Sequence, residues 1–203
     1  MRKQLIYLFG MLTVFFAAIG CGEMTAEEKY RKTVKTELAK GTRVDSIFLG
    51  IHFGMTSKGF FGHCWELNKQ GIIRDGKNNT MVNYRLDSAL KHPAEMDFYP
   101  DFYEDKIFKM RVEYHYHAWA PWNKMLFADS LLPEVVKLYK KWYPGGNEFI
   151  SMTDSLRGTI HVKVDGNRRI TIGRYNDMLV KADFTDLLIE EKLRKLNSQK
   201  SGK

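Results

Sequence analysis

Residues 108–118 alternate with a period of two. Phe108, Met110, Val112, Tyr114 and Tyr116 fall on one side, and Lys109, Arg111, Glu113, His115 and His117 on the other. Successive side chains of a strand point to opposite faces, so this stretch reads as a strand with one apolar and one polar face. Residues 80–86 likewise place Val82, Tyr84 and Leu86 together, and residues 94–102 place Met96, Phe98 and Phe102 together. A turn around Glu104-Asp105-Lys106 is far too short for a parallel crossover, so the last two strands pair as a hairpin. Pro100 lacks an N–H and predicts an edge strand for 94–102.

A second hairpin spans residues 159–173. A two-residue loop at Gly166-Asn167 sets Val162 opposite Thr171. A three-residue loop, Asp165-Gly166-Asn167, sets Val162 against Ile170 and Ile160 against Ile172. The three-residue loop keeps one apolar face continuous and is the expected register. Residues 47–53 and 178–182 read as further short strands.

Helices punctuate these strands. Thr25 and Glu28 form a capping box ahead of a helix to about Lys40, whose apolar stripe is only Tyr30, Val34 and Leu38. Thr56 caps a helix to Gln70, ended by Gly71. Ser130 is placed to cap a third, with Pro133 in its first turn and a stripe of Leu132, Val135, Tyr139 and Trp142. Residues 184–197 form the last, built on Leu187, Leu188 and Leu193. The order is helix, antiparallel strands, helix, antiparallel strands, helix, which predicts an α+β fold in two layers, built from two successive helix-then-hairpin halves. No linker or sequence repeat divides residues 45–197, so they are expected to form one domain. Residues 21–44 are expected to be its tethered N-terminus and spacer helix, and residues 198–203 a disordered basic tail.

The N-terminus has a different character. Arg2 and Lys3 precede fifteen uncharged positions, 5–19, too few for a spanning helix, which needs roughly 20 residues. Ala17, Ala18 and Gly20 then lead into Cys21. Ala18-Ile19-Gly20-Cys21 resembles the lipobox of bacterial prolipoprotein signals, with Ala18 standing where leucine is usual. The resemblance covers residues 1–21 only. It implies that residues 1–20 are a signal peptide, that Cys21 becomes a lipidated N-terminus, and that acyl chains hold the protein to a bilayer. Gly22 in place of aspartate implies the outer membrane. An acylated Cys21 leaves Cys64 without a partner in the chain, and its position on one helical face with Phe60 and Leu67 predicts a buried, inert thiol. Gly54-Met55-Thr56 opening a helix before antiparallel strands also resembles small lipoproteins of the β-barrel assembly machinery and related inhibitor-type repeats.

The chain carries a net charge of +8, or +6 once Arg2 and Lys3 leave with the leader. Export makes nucleic acid an unsuitable partner. An envelope protein or glycan suits better, beside the bilayer itself. Three clusters are candidate sites. His115 and His117, two apart on a strand, project from one face and could grip a metal ion. The hairpin register puts Glu95 opposite His115 and Asp97 opposite Glu113, adding carboxylates to that face. Trp119 and Trp122 flank Ala120-Pro121 in a loop, where exposed aromatics can anchor a partner. Lys163, Arg168, Arg169 and Arg174 gather cations, with Lys163 facing Arg169 in the expected register, an arrangement that an anion between them would relieve. There is no Gly-x-Ser-x-Gly, Walker loop, dinucleotide fingerprint or Ser-x-x-Lys pattern. The reading is a membrane-anchored, non-enzymatic binding or scaffolding module without a cofactor. The alternative is an envelope hydrolase or metal-binding protein using the His115/His117 face.

Overall fold

Two helix-and-meander halves meet edge to edge in a single sheet. A computed structural model describes residues 23–76 and 80–201; the leader, Cys21 and the last two residues lie outside it. A first helix, α1 (Ala26–Ala39), precedes both halves. The first half is α2 (Ser57–Lys69), β1 (Arg74–Asp75), β2 (Val82–Leu86), β3 (Ala94–Tyr103) and β4 (Lys106–Tyr116). The second is α3 (Ala128–Trp142), β5 (Ile150–Asp154), β6 (Gly158–Asp165), β7 (Arg168–Arg174) and β8 (Val180–Asp186), followed by α4 (Leu187–Ser201). All neighbouring strands are antiparallel, in the order β1-β2-β3-β4-β8-β7-β6-β5. The fold is therefore α+β, and the seam between the halves is the pairing of β4 with β8.

The caps act as the sequence suggests. Thr25 Oγ1 accepts from the Glu28 N–H at 3.2 Å, while the Glu28 carboxylate accepts from the Thr25 N–H at 2.9 Å. Thr56 Oγ1 accepts from the Gly59 N–H at 3.1 Å, and Gly71 ends α2 at φ +70°. The main core lies between α2, α3 and one face of the sheet. Met96, Phe98, Met110, Val112, Tyr114, Ile170, Ile172, Val180, Ala182 and Phe184 supply the sheet side and are all buried. Tyr139 of α3 stacks on Phe184 at 5.6 Å, and its hydroxyl lies 2.9 Å from that of Tyr114, so both buried phenols are satisfied.

Several sequence expectations are corrected. Residues 47–53 are a tight reversal rather than a strand: Ser46 bridges His52, the Ile47 N–H donates to Ile51 at 2.9 Å, and Leu49 and Gly50 take φ of 50° and 77°. The reversal drives Ile47, Ile51 and Phe53 into the core. β3 is interior, not an edge. Pro100 is tolerated because β2 pairs only with residues 94–98, so β3 has no neighbour on that side at position 100. α3 starts before Ser130, without a side-chain cap. The Ala128 N–H instead donates to Asp177 at 2.8 Å, which leaves Pro133 inside the helix. Residues 184–186 belong to β8. Helix α4 begins only after Asp186, whose carboxylate accepts the Leu188 N–H at 3.0 Å, and it continues past Asn197 to Ser201.

The second hairpin takes the other register. Val162 lies opposite Thr171 and Lys163 opposite Ile170, around a two-residue Gly166-Asn167 loop. The three-residue loop was expected because it kept one apolar face unbroken. This end of the sheet is instead apolar on both faces. Ile160, Val162 and Val164 turn away from Ile170 and Ile172 and pack with Leu187 against Tyr30, Val34 and Leu38 of α1. The thin stripe of α1 is thus the cover for a second, smaller core.

Glu37 ties α1 to this hairpin. It is buried, pairs with Lys40, and accepts the Gly166 N–H at 2.9 Å. Burial pushes its carboxyl up, but the bonds from Lys40, Gly166 and Asn147 outweigh this and hold it at about 2, against an ordinary 4.5. A depressed carboxylate stabilises the fold above its unfolded value and loses that contribution as pH falls through the folded one. Glu37→Ala is expected to cost about 1–3 kcal/mol at neutral pH through the orphaned Gly166 N–H. Urea unfolding at a series of pH values should show the gap between wild type and variant narrowing from pH 4.5 towards 2.

Candidate functional site

The outward residues of β2, β3 and β4 converge on one cleft. The hairpin of β3 and β4 places Glu95 opposite His115 and Asp97 opposite Glu113, as the sequence predicts. It reaches that register by a different route. The turn has two residues, Glu104 and Asp105, both at positive φ, and a bulge between Asp101 and Phe102 restores the count. The adjoining cleft measures about 430 Å³ and is lined by Arg74, Asn83, Glu95, Asp97, Glu113 and His115, among others.

Glu95 Oε1 accepts from Arg74 Nη2 at 2.7 Å and lies 3.0 Å from His117 Nδ1. Its Oε2 accepts from Asn83 Nδ2 at 3.2 Å and lies 3.5 Å from His115 Nε2. Asp97, only 3% exposed, accepts from Asn83 Nδ2 at 2.8 Å through Oδ1, and its Oδ2 is 3.8 Å from His115 Nδ1. Asn83 is the organiser. It holds both carboxylates while its own oxygen accepts from Arg74 Nε at 2.8 Å. Burial pushes Glu95 up, but the His117 hydrogen bond, the charges of Arg74 and His115, and Asn83 hold its carboxyl below the ordinary value.

Among the described residues, Glu95, Asp97 and His115 are the one group of three whose ligand atoms lie together, all within 4.8 Å. Two carboxylate oxygens and one imidazole nitrogen form a donor set that divalent metals accept. His117 was expected beside His115, but it lies beyond the end of β4 with its side chain 69% exposed, touching the cluster only through Glu95. Asp97 takes the inner position instead. Arg74 and Gly76 carried no sequence signal. Asn83 did: the alternation of residues 80–86 puts it outward, on the face of Glu95 and Asp97.

The other sequence candidates are dispersed. Trp122 is 84% exposed, whereas Trp119 is half-buried with its ring 5.8 Å from Phe127. Lys163 and Arg168 are buried, which takes them out of the expected partner-binding cluster of cations. Lys163 Nζ donates to Gly145 at 2.6 Å and pairs with Asp165 at 3.2 Å. Arg168 donates to the Ser46 carbonyl at 2.7 Å and lies over the Tyr143 ring. Arg169 faces Val164, not Lys163, and binds Glu190 and the Tyr30 hydroxyl. Arg174 pairs with Asp129 and Asp177. The four cations therefore form no common anion cradle. Cys64 is buried, and burial pushes its thiol up to about 11, an unreactive state. Its neighbour His63 places Nε2 2.6 Å from the Leu49 carbonyl oxygen.

Gly76 offers a direct check of this packing. A Cβ there would stand 2.7 Å from Asp97 Oδ1 and 2.8 Å from the Met81 carbonyl oxygen. Gly76→Ala is expected to force position 76 away from Asp97 and Met81 and cost about 1–3 kcal/mol, read by urea unfolding. Compared with protein-family models, curated proteins and solved structures, the chain matches none of them.

Proposed function

We propose that this chain is a lipid-anchored module of the bacterial cell envelope, at the outer membrane, that binds or scaffolds a partner without catalysing a reaction. The observation that carries the reading is the polar sheet face of β3, β4 and β8. Its charges are held in pairs: Arg111 with Asp101 at 2.9 Å, Lys181 with Glu113 at 3.1 Å and Lys109 with Asp183 at 3.6 Å. All of these but Asp101 line a hollow of about 800 Å³ together with Tyr99 and, from α2, Phe61. Side chains fixed in advance lose little entropy when a partner docks, and alternating signs favour a partner of matching pattern. In this reading the first half is two-layered, with helices over its apolar face and the polar face left for an envelope protein or glycan.

In this reading the anchor is Cys21, acylated and left as the N-terminus once the leader is removed. Among the described residues no helix is long and apolar enough to cross a membrane. Each acyl methylene buried in a bilayer contributes about 0.8 kcal/mol, so two or three chains hold a domain firmly. Cys21→Ser is expected to move the protein from the membrane fraction to the soluble one, and mass spectrometry of the wild type should show an acylated Cys21 N-terminus. For the surface, Arg111→Glu with Lys181→Glu should abolish cross-linking to the envelope partner while thermal unfolding stays cooperative. Unchanged cross-linking would overturn the assignment of this face.

A further inference from the structure

We infer that Glu95, Asp97 and His115 hold one divalent transition-metal ion, with zinc the best match. The inference goes beyond the docking surface and stands independently of it, since it concerns only this cluster. Two observations carry it. The first is the donor geometry. One ligand atom from each of Glu95, Asp97 and His115 lies within 4.8 Å of the other two, with His115 Nε2 facing Glu95 Oε2 and Nδ1 facing Asp97 Oδ2. Ligand bonds of about 2.0–2.2 Å at tetrahedral angles put donor atoms roughly 3.3–3.6 Å apart, so a turn of the His115 ring and a contraction of about 1 Å close the set around an ion through one imidazole nitrogen. Glu95 Oε1 stays with Arg74 and His117, which face it from the other side.

The second observation is the burial of Asp97. A carboxylate removed from water is costly unless a cation meets it. Among the described residues the only basic group within 4 Å of Asp97 is the His115 imidazole, and 3.8 Å is too long for a hydrogen bond. A divalent ion between Glu95, Asp97 and His115 would place a full positive charge against this buried carboxylate. Asn83 already orients both carboxylates from behind, as outer-shell partners of metal ligands do. Three protein ligands leave a fourth position facing the cleft, open to water or to a donor atom of a bound partner.

The test uses the purified full-length protein, stripped with a chelator and titrated with zinc chloride by calorimetry. Cobalt(II) serves as the spectroscopic probe of coordination. One equivalent of zinc is expected, with the visible absorption of four-coordinate cobalt. Asp97→Asn, which keeps the shape of the side chain, and His115→Ala should each weaken zinc by about tenfold or more. His161→Gln, on β6 outside the cluster, should leave it unchanged. Circular dichroism establishes that each variant is folded. Absence of zinc binding by the folded wild type overturns the inference. So does binding that survives both Asp97→Asn and His115→Ala, which would place the ion on another histidine.

Discussion

The pairing of β4 with β8 decides the rest of the structure. These strands are the last of each half and lie far apart in sequence, yet they set both faces of the sheet at its centre. On one face Met110, Val112 and Tyr114 lie opposite Phe184, Ala182 and Val180, all buried. On the other, Glu113 lies opposite Lys181 and Arg111 opposite Asp183, so opposite charges meet across the seam. A slip of one residue would turn Phe184 to solvent and Lys181 to the core. The cost of that exchange makes the register nearly unique. The polar face follows from the apolar one: once the core side is packed, the carboxylates and cations have only one way to point.

The first half was largely legible because one face of its strands is wet. Alternation in 108–118 and 94–102 identifies most of the inward residues, but Phe108 falls at the bulge and Ile107 takes the core position there. Pairing the strands about Glu104-Asp105-Lys106 puts Glu95 opposite His115 although the turn has two residues. A two-residue turn plus a bulge and a three-residue turn give the same register beyond Asp101, and a pattern of two cannot tell them apart. Asp97 and Asn83 at the centre of the cluster follow from the same alternation. Gly76 and Arg74 do not, because β1 is only two residues long and offers no alternation to read.

The second half departs from its sequence pattern for a definite physical reason. Hairpin reasoning assumes that apolar residues on two strands seek the same face. On β6 and β7 they seek opposite faces, because α1 supplies a second apolar surface from more than a hundred residues away. The three apolar residues of the α1 stripe looked too few to matter when the helix was considered alone. With the register changed, Lys163 moves to the α3 side and Arg169 to the α1 side, so their expected repulsion disappears. Each cation instead closes a different junction, Lys163 with the loop after α3 and Arg169 with α1 and α4. Buried cations with several acceptors serve the fold and have little left for a ligand.

Two halves of the same element order thus have opposite outer faces. Across the sheet from β3 to β6 that face changes from Glu95, Asp97, His115 and Glu113, through the paired charges of β8, to Thr171 and Gly173 on β7 and then Ile160 and Val162 on β6. The gradient explains where chemistry can reside. Beneath α1 the face is dry and filled, so a polar group there must be consumed by internal bonds, as Glu37 is. At the far end, among the described residues, no helix lays an apolar stripe on the face, and Glu95 and Asp97 can be withdrawn from water while one side of the cluster stays open to the cleft. That intermediate condition, buried enough to be rigid yet open on one side, is what a sheet needs to hold an ion or present a fixed charge pattern. It arises here because, among the described residues, α1 together with Leu187 of α4 covers one end of this face and no helix covers the other.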